Sequence, residues 1–378
     1  MDRNRHPTRR TVLRAVGGAL GVATVGSVAG CLDNAPDRID IRETAREGSG
    51  GIQEDPDGLR PVLANERLHL GHSLDAMESA ALSGGPGVDG IPSVDDPEFQ
   101  PAAEADLDDG DPVFGVVRNG VAKAYPQSVL VWHEIVNDEI GGEPVAVTYC
   151  PLTGTAQGFE RGETTFAVSG LLVNSNLLMY DRGTGTRWPQ IPATGIRGPL
   201  ADRSLAEFRV IWSTWGNWRA AHPETQLMTT NTGFQRRYGS DPYGGYNPPS
   251  GYYSQDRTMF EPLASTDTET AKTVILGART PDGAIAFNKE TLLAEGVLSG
   301  EAGGVDFVAV ADPVLETGYV YRNDEGSTVE PTGESGSGQY TVDGQSVAAA
   351  ELPLDGVVAF DAMFFAWYGF YPKMSYVD

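Results

Sequence analysis

Lysine and cysteine are the scarce residues of this 378-residue chain. Four lysines stand among 27 basic residues, set against 52 acidic ones, for a formal net charge of −25. A surface of that sign repels nucleic acid and anionic lipid headgroups, so no nucleic-acid partner is expected. At ordinary salt such self-repulsion opposes folding, whereas at molar salt the Debye length falls to ~3 Å and screens it. Excess carboxylate with few lysines therefore resembles the surface of a protein from an extreme halophile. Acidic runs such as Asp106–Asp111 then read as solvated faces, with a calcium loop as the alternative. Also missing are a Walker loop, a dinucleotide fingerprint, H-E-x-x-H and G-x-S-x-G, so the reactions those motifs carry have no anchor here. After residue 30 no run is long and apolar enough to span a bilayer.

Only two cysteines occur, Cys31 and Cys150. Cys31 closes an apparent address. Thr8-Arg9-Arg10-Thr11-Val12-Leu13-Arg14 resembles a twin-arginine export signal, Ala15 to Gly30 is uncharged, and Val28-Ala29-Gly30-Cys31 resembles a lipobox. Residues 1–30 are therefore expected to be a cleaved signal peptide. Lipidation of Cys31 would tie the protein to the bilayer at the extracellular face of the membrane. Residues 31–61, polar and rich in charge and glycine, read as a flexible acidic tether. Residues 62–378 read as one globular domain.

Within that domain the apolar runs are short (V-F-G-V-V, V-A-V-T-Y, T-V-I-L-G, F-V-A-V) and bounded by Gly, Pro, Asp or Asn, which predicts many strands. Helical patterns are expected over 126–137 and 213–221. Ala124 to Pro151 aligns without a gap on Ala286 to Pro313 at one constant offset (124 to 286), matching Gly141-Gly142 with Gly303-Gly304. This predicts a β-rich α+β fold of two related strand-helix-strand units in pseudo-twofold arrangement, over about 113–200 and 274–373. An aromatic, Gly/Pro-rich segment, 201–273, connects them. In the second copy Glu295 replaces His133 and Asp312 replaces Cys150, which suggests that both positions face a polar surface or cleft.

The run W-H-E-I-V-N-D-E-I-G-G-E-P-V-A-V-T-Y-C-P-L-T-G-T-A, with V-S-G-L-L-V-N-S-N-L-L-M-Y-D-R-G-T-G-T-R-W-P-Q after it, resembles the domain-of-unknown-function 3179 family. So do G-I-P-S-V-D-D-P-E-F, W-G-N-W-R-A-A-H-P-E-T and the closing F-Y-P, so that the resemblance runs from about Gly84 to Pro372. Members often carry Cys-Pro-Leu-Cys-Gly-Thr where this chain has Thr153, which argues against a shared two-cysteine clamp. The resemblance implies a place for the site and no activity.

Cys150 ends an apolar run before Pro151, so the amides of the following turn, with Thr153 and Thr155, could face its sulfur and lower its pKa. His133 is expected on the preceding helix, folded back toward the thiol. A Cys150/His133 pair could act as nucleophile and base, or as soft ligands for copper or zinc; the alternative is an inert buried thiol. Asn174-Ser175-Asn176 interrupts an apolar stretch. Tyr180, Asp181, Trp188 and Gln190 flank a predicted hairpin turn over Arg182–Thr186. Together these seven read as a pocket wall, or else as cross-strand packing. Trp212, Trp215 and Trp218 read as core, and the five tyrosines of Tyr238–Tyr253 as a loop covering a cleft or as a stacking surface. The expected function is thus an exported, lipid-anchored thiol-dependent enzyme or redox protein. The alternative is a binding protein for a small ligand or a copper ion. The residues name no cofactor.

Overall fold

The computed structural model describes residues 59–332 and 337–378. The expected signal peptide, Cys31 and the tether up to residue 58 lie outside the described residues. Contact with the domain has begun by Leu59. Its carbonyl and that of Arg60 press on Gly183 and Gly162, and the Val62 amide donates to the Glu160 carbonyl at 3.1 Å.

Paired left-handed residues close the hairpins. Gly141-Gly142 (φ 58° and 83°) turns strand Ile135–Ile140 into Glu143–Cys150, and Gly303-Gly304 (φ 62° and 79°) turns Val297–Ala302 into Val305–Asp312. Turns with two positive φ values match the twist of antiparallel strands, and glycine takes them without a Cβ clash. The first hairpin continues into Thr155–Glu160 and is edged by Glu207–Phe208. The second continues into Thr317–Arg322 and is edged by Asp355–Val357. The two sheets have the same strand order, and all their pairs are antiparallel.

A second pair of sheets shows the same correspondence. One runs Ile211–Thr214, Pro112–Arg118, Val121–Pro126, Gln226–Met228, with Phe99–Pro101 outermost; the other runs Ala359–Met363, Val274–Arg279, Ala284–Asn288, Ser375–Val377. In each, the fourth strand lies parallel to the third and is reached through a seven-residue helix, Trp215–Ala221 or Phe364–Phe370. Each helix lays a tryptophan on a strand glycine. A Cβ on Gly115 would stand 2.2 Å from the Trp218 ring, and one on Gly277 would stand 2.6 Å from the Trp367 ring. Registers agree position for position. Leu227 faces Ala124 where Tyr376 faces Ala286, and Glu207 faces Phe159 where Gly356 faces Tyr321.

Two sequence expectations change here. The helix expected over 126–137 is a single turn, Gln127–Leu130, because the chain reverses at Glu134 (φ 59°) and enters a strand at Ile135. The strand and helix that complete the first half lie at 207–228, inside the stretch read as a connector. What intervenes, 161–206, supplies Phe166–Val173, Asn176–Asp181 and Arg187–Pro189 to a further sheet that Leu82–Ser83 edges.

The largest core cluster joins Cys150, Phe159, Leu177 and Trp188 to Phe360, Met363 and Trp367, so the thiol sits where the halves meet. Its turn is tied across the junction: the Met363 amide donates to the Thr153 carbonyl at 2.9 Å. Three buried or nearly buried charge pairs brace the fold. Lys123 Nζ lies 2.8 Å from Asp138, Arg279 lies 2.8 Å from Glu207, and Lys289 bonds Asp361. Lys373 is the one exposed lysine of the four. No helix among the described residues is long and apolar enough to cross a membrane.

Candidate functional site

Cys150 is the last residue of its strand, paired with Thr155, and its side chain is 1% exposed. Its Sγ lies 3.6 Å from the Ser175 carbonyl oxygen. Burial pushes the thiol up to about 11, and the nearby Glu134 charge adds to the rise; hydrogen bonds from Thr153 and the backbone pull the other way and lose. The lowered thiol pKa expected from the turn amides is therefore reversed, because desolvating a thiolate outweighs the few donors the turn supplies.

The residue that stands out is one the sequence reading passed over. Glu134 has a left-handed backbone, φ 59°, and its carbonyl accepts from the Tyr149 amide at 2.7 Å. The matching position in the other half is Gly296, φ 84°, whose carbonyl accepts from Ala311 at 2.8 Å. One half thus uses glycine for this conformation, and the other holds a glutamate there at a cost of ~1–2 kcal/mol. The glutamate side chain is 6% exposed and makes no side-chain hydrogen bond to any described residue. Burial alone pushes its carboxyl from 4.5 to about 8. An unpaired acid inside the apolar run V-L-V-W-H-E-I-V was the available signal.

His133 is also buried, and both ring nitrogens are occupied away from the thiol. Nδ1 donates to the Pro92 carbonyl (2.8 Å), which leaves Nε2 to accept from the Tyr238 hydroxyl (2.7 Å). Tyr238 in turn lies 2.5 Å from Thr232 Oγ1. Burial lowers the His133 pKa, as does Arg236, while the Pro92 bond opposes them. The hydrogen bonds do not join Cys150 to His133; the histidine instead pins the irregular segment 229–265.

That segment roofs the thiol. The Tyr252 hydroxyl donates to the Leu152 carbonyl at 2.8 Å. Tyr253 and Gln127 both donate to Asp241 Oδ2, at 3.0 and 2.7 Å, fastening the roof to the first helical turn. Tyr243, Tyr246, Tyr252 and Tyr253 pack with ring centroids 4.6–6.5 Å apart. The Tyr246 hydroxyl lies where a Cβ on Gly154 would come within 3.0 Å, so the cysteine turn needs glycine there. The Tyr243 hydroxyl feels the charges of both Glu134 and Cys150, burial being the larger reason its pKa rises. At the foot of the roof Lys272 Nζ lies 3.2 Å from the centroid of the Tyr252 ring.

The other expected site residues fall into two groups. Asn176 donates to Thr153 Oγ1 (3.0 Å) and Gln190 Oε1 (2.8 Å). Gln190 donates to Thr148 Oγ1 (2.9 Å) and the Thr155 carbonyl (3.2 Å). Thr155 closes on the Thr153 carbonyl at 3.1 Å. This buried network braces the turn that carries Cys150. Asn174 and Ser175 are the left-handed turn pair of a hairpin, and Asn174 Nδ2 donates across to the Ala366 carbonyl at 2.7 Å. Tyr180, Asp181 and Trp188 belong elsewhere. Tyr180 donates to Asp89 at 2.9 Å, and Asp181 takes the Thr184 amide (2.6 Å), the Thr184 hydroxyl (2.8 Å) and Trp188 Nε1 (2.9 Å). Asp312, at the position matching Cys150, is partly exposed, and its Oδ1 accepts from the Val314 and Leu315 amides at 3.1 Å each, so the carboxylate caps a turn. The exposed Glu295 matches His133.

Among the described residues no three His, Cys, Asp or Glu side chains gather as a metal site. Two surface grooves, of about 430 and 660 Å³, lie along Val117–Ala122 with His222–Gln226 and along Arg322–Ser327 with Pro353–Asp355; neither includes Cys150, Glu134 or the roof.

No curated protein matches the chain, and no solved structure does. The family described as "Protein of unknown function (DUF3179)" matches residues 88–374, a span that takes in the cysteine turn, Glu134, the tyrosine roof and the matching strands of both halves, and the chain belongs to that family.

Proposed function

We propose that this is an exported, lipid-anchored protein that captures a small ligand at Glu134, against Cys150 and beneath the tyrosine roof. The carrying observation is Glu134 itself: a buried carboxyl without a bonded partner, in a strained conformation that the matching position assigns to glycine. Strain and desolvation of this kind persist where a ligand supplies what the protein withholds. In this reading the halves are two copies of one unit in pseudo-twofold arrangement. The first copy works and the second serves as scaffold, a view supported by their equal registers. The Thr153–Asn176–Gln190 network holds the floor, and His133 with Tyr238 latches the roof. Twin-arginine export and lipidation at Cys31 rest on the leader sequence alone.

A thiol-dependent reaction is the second reading, favoured by the electrostatic coupling of Cys150 to Glu134, which would serve as proton acceptor once the roof opens. Copper is not favoured: His133 has no free nitrogen, and the sulfur has no second donor of that class within a described cluster.

The test is native-state alkylation of Cys150 by iodoacetamide across a denaturant series. A roof that opens locally gives a labelling rate nearly flat at low denaturant, far below the unfolding transition. If the rate instead follows global unfolding with its full denaturant slope, no ligand reaches the thiol in the folded protein and the proposal is wrong.

A further inference from the structure

We infer that the ligand taken at Glu134 is a small organic ammonium cation, held between that carboxylate and the faces of the roof tyrosines. The inference rests on the capture site proposed above and specifies its chemistry.

Four observations carry it. First, Glu134 is 6% exposed and has no cationic partner, whereas the other buried ion pairs described, Lys123–Asp138, Arg279–Glu207 and Lys289–Asp361, supply one. A buried carboxylate is stable only when paired, so the charge missing here is positive. Second, the surface presented by the roof is aromatic. Glu134 lies between two anchors of that roof: its neighbour His133 accepts from the Tyr238 hydroxyl at 2.7 Å, and Tyr149, whose amide donates to the Glu134 carbonyl, sets its own hydroxyl 3.4 Å from that of Tyr253; the Tyr243 ring packs within 6.5 Å of the Tyr252 and Tyr253 rings, centroid to centroid. Tyrosine faces attract ammonium groups through the ring quadrupole, by ~2 kcal/mol when water is excluded. Third, the roof already holds one ammonium in this way, Lys272 above the Tyr252 ring. Fourth, a chain of net charge −25 draws cations toward it and repels anions.

Ligand class also has a proton consequence. Without ligand, burial keeps the Glu134 carboxyl largely protonated below about pH 8. An ammonium beside it favours the carboxylate, so binding near pH 7 releases a proton from Glu134 to solvent. A neutral ligand accepting a hydrogen bond from the acid releases none, and an anion holds the proton in place.

The experiment uses the full-length protein in molar potassium chloride, with tetramethylammonium, tert-butanol and acetate as probes. Iodoacetamide labelling of Cys150 is measured with each. Tetramethylammonium should slow labelling about tenfold at about ten times its dissociation constant. Calorimetry in buffers of different ionisation enthalpy should show proton release at pH 7. Glu134→Gln should abolish protection and proton release, and Tyr243→Leu should weaken protection. Protection by tert-butanol or acetate but not by the cation overturns the ligand class and leaves the capture site standing. So does cation protection that survives intact in Glu134→Gln. Local opening without protection by any probe also overturns the ammonium assignment. Labelling that follows global unfolding removes both proposals together.

Discussion

Replacing Glu134 by glutamine should make the protein more stable at neutral pH, the reverse of what losing a buried charged residue usually does. The carboxyl titrates near 4.5 when unfolded and near 8 when folded. A folded pKa raised in this way means that the native state resists ionisation. Below about pH 4.5 the acid is neutral in both states and costs nothing. Between about 4.5 and 8 the unfolded chain gains ~1.4 kcal/mol per pH unit that the folded chain does not, and above about 8 the penalty levels off near ~5 kcal/mol. At pH 7 it is ~3 kcal/mol. Glutamine removes this titration while keeping shape and volume. Every other carboxylate is shared by the two proteins, so the difference between them isolates this residue. Urea unfolding at constant molar salt should show the variant ahead by ~3 kcal/mol at pH 7 and by less than ~1 kcal/mol at pH 4.5. Glu134→Gly should add ~1 kcal/mol more at every pH by relieving the left-handed backbone, as Gly296 already does in the other half. A variant less stable than wild type at pH 7, or a difference that does not change with pH, would refute the reasoning. Glu134 would then have a partner in solution.

Four further outcomes are expected. Tyr238→Phe removes the hydroxyl that His133 Nε2 accepts from, so iodoacetamide labelling of Cys150 should accelerate ~5- to 30-fold while the melting temperature moves little; an unchanged rate would detach the latch from the roof. Glu207→Ala strands the buried Arg279 guanidinium and should cost ~3–5 kcal/mol in urea unfolding, whereas Glu207→Met with Arg279→Met should recover most of that loss; a double variant no better than the single would contradict the pairing. Gly115→Ala and Gly277→Ala each drive a methyl into an indole ring and should each lower stability by ~1–3 kcal/mol, and a neutral effect at either site would mean that its helix does not pack as described. Arg9-Arg10→Lys-Lys should leave precursor inside the cell and Cys31→Ser should prevent membrane retention, both read by fractionation; wild-type distribution of the two variants would dismiss the leader.

Strand content and the Gly-Gly hairpins were legible because they depend on local rules: short apolar runs and left-handed turn pairs. The sequence around Trp132–Ile135 was misleading. Its apolar spacing fits a helix, and only the tertiary hydrogen bond from Tyr149 to the Glu134 carbonyl shows that the chain reverses there. The helix pattern gives no reason to single out Glu134 and turns His133 toward the thiol, whereas the ring bonds Pro92 and Tyr238. That the tyrosine-rich loop covers something could be expected from composition, but not that it lies over Cys150. The sign of its pKa shift could not, because it depends on how completely the roof excludes water. The grouping of Tyr180 and Trp188 with Gln190 failed for a simpler reason. Trp188 Nε1 is held by Asp181 at that residue's own turn and Tyr180 reaches out to Asp89, while Gln190 alone of the three turns to the cysteine floor.

The roof's one ammonium gives it a chemical address. Burial pushes Lys272 down to about 8, and Lys123 and Lys289 are locked in ion pairs. An amine-reactive dye applied near neutral pH should therefore find Lys272 as a nucleophile while Lys123 and Lys289 stay held by their carboxylates. In a protein with four lysines, acylation then has two lysine addresses, Lys272 and the exposed Lys373, which Lys373→Arg would reduce to one. A fluorophore could be set at the foot of the roof without adding a cysteine, and opening followed in real time.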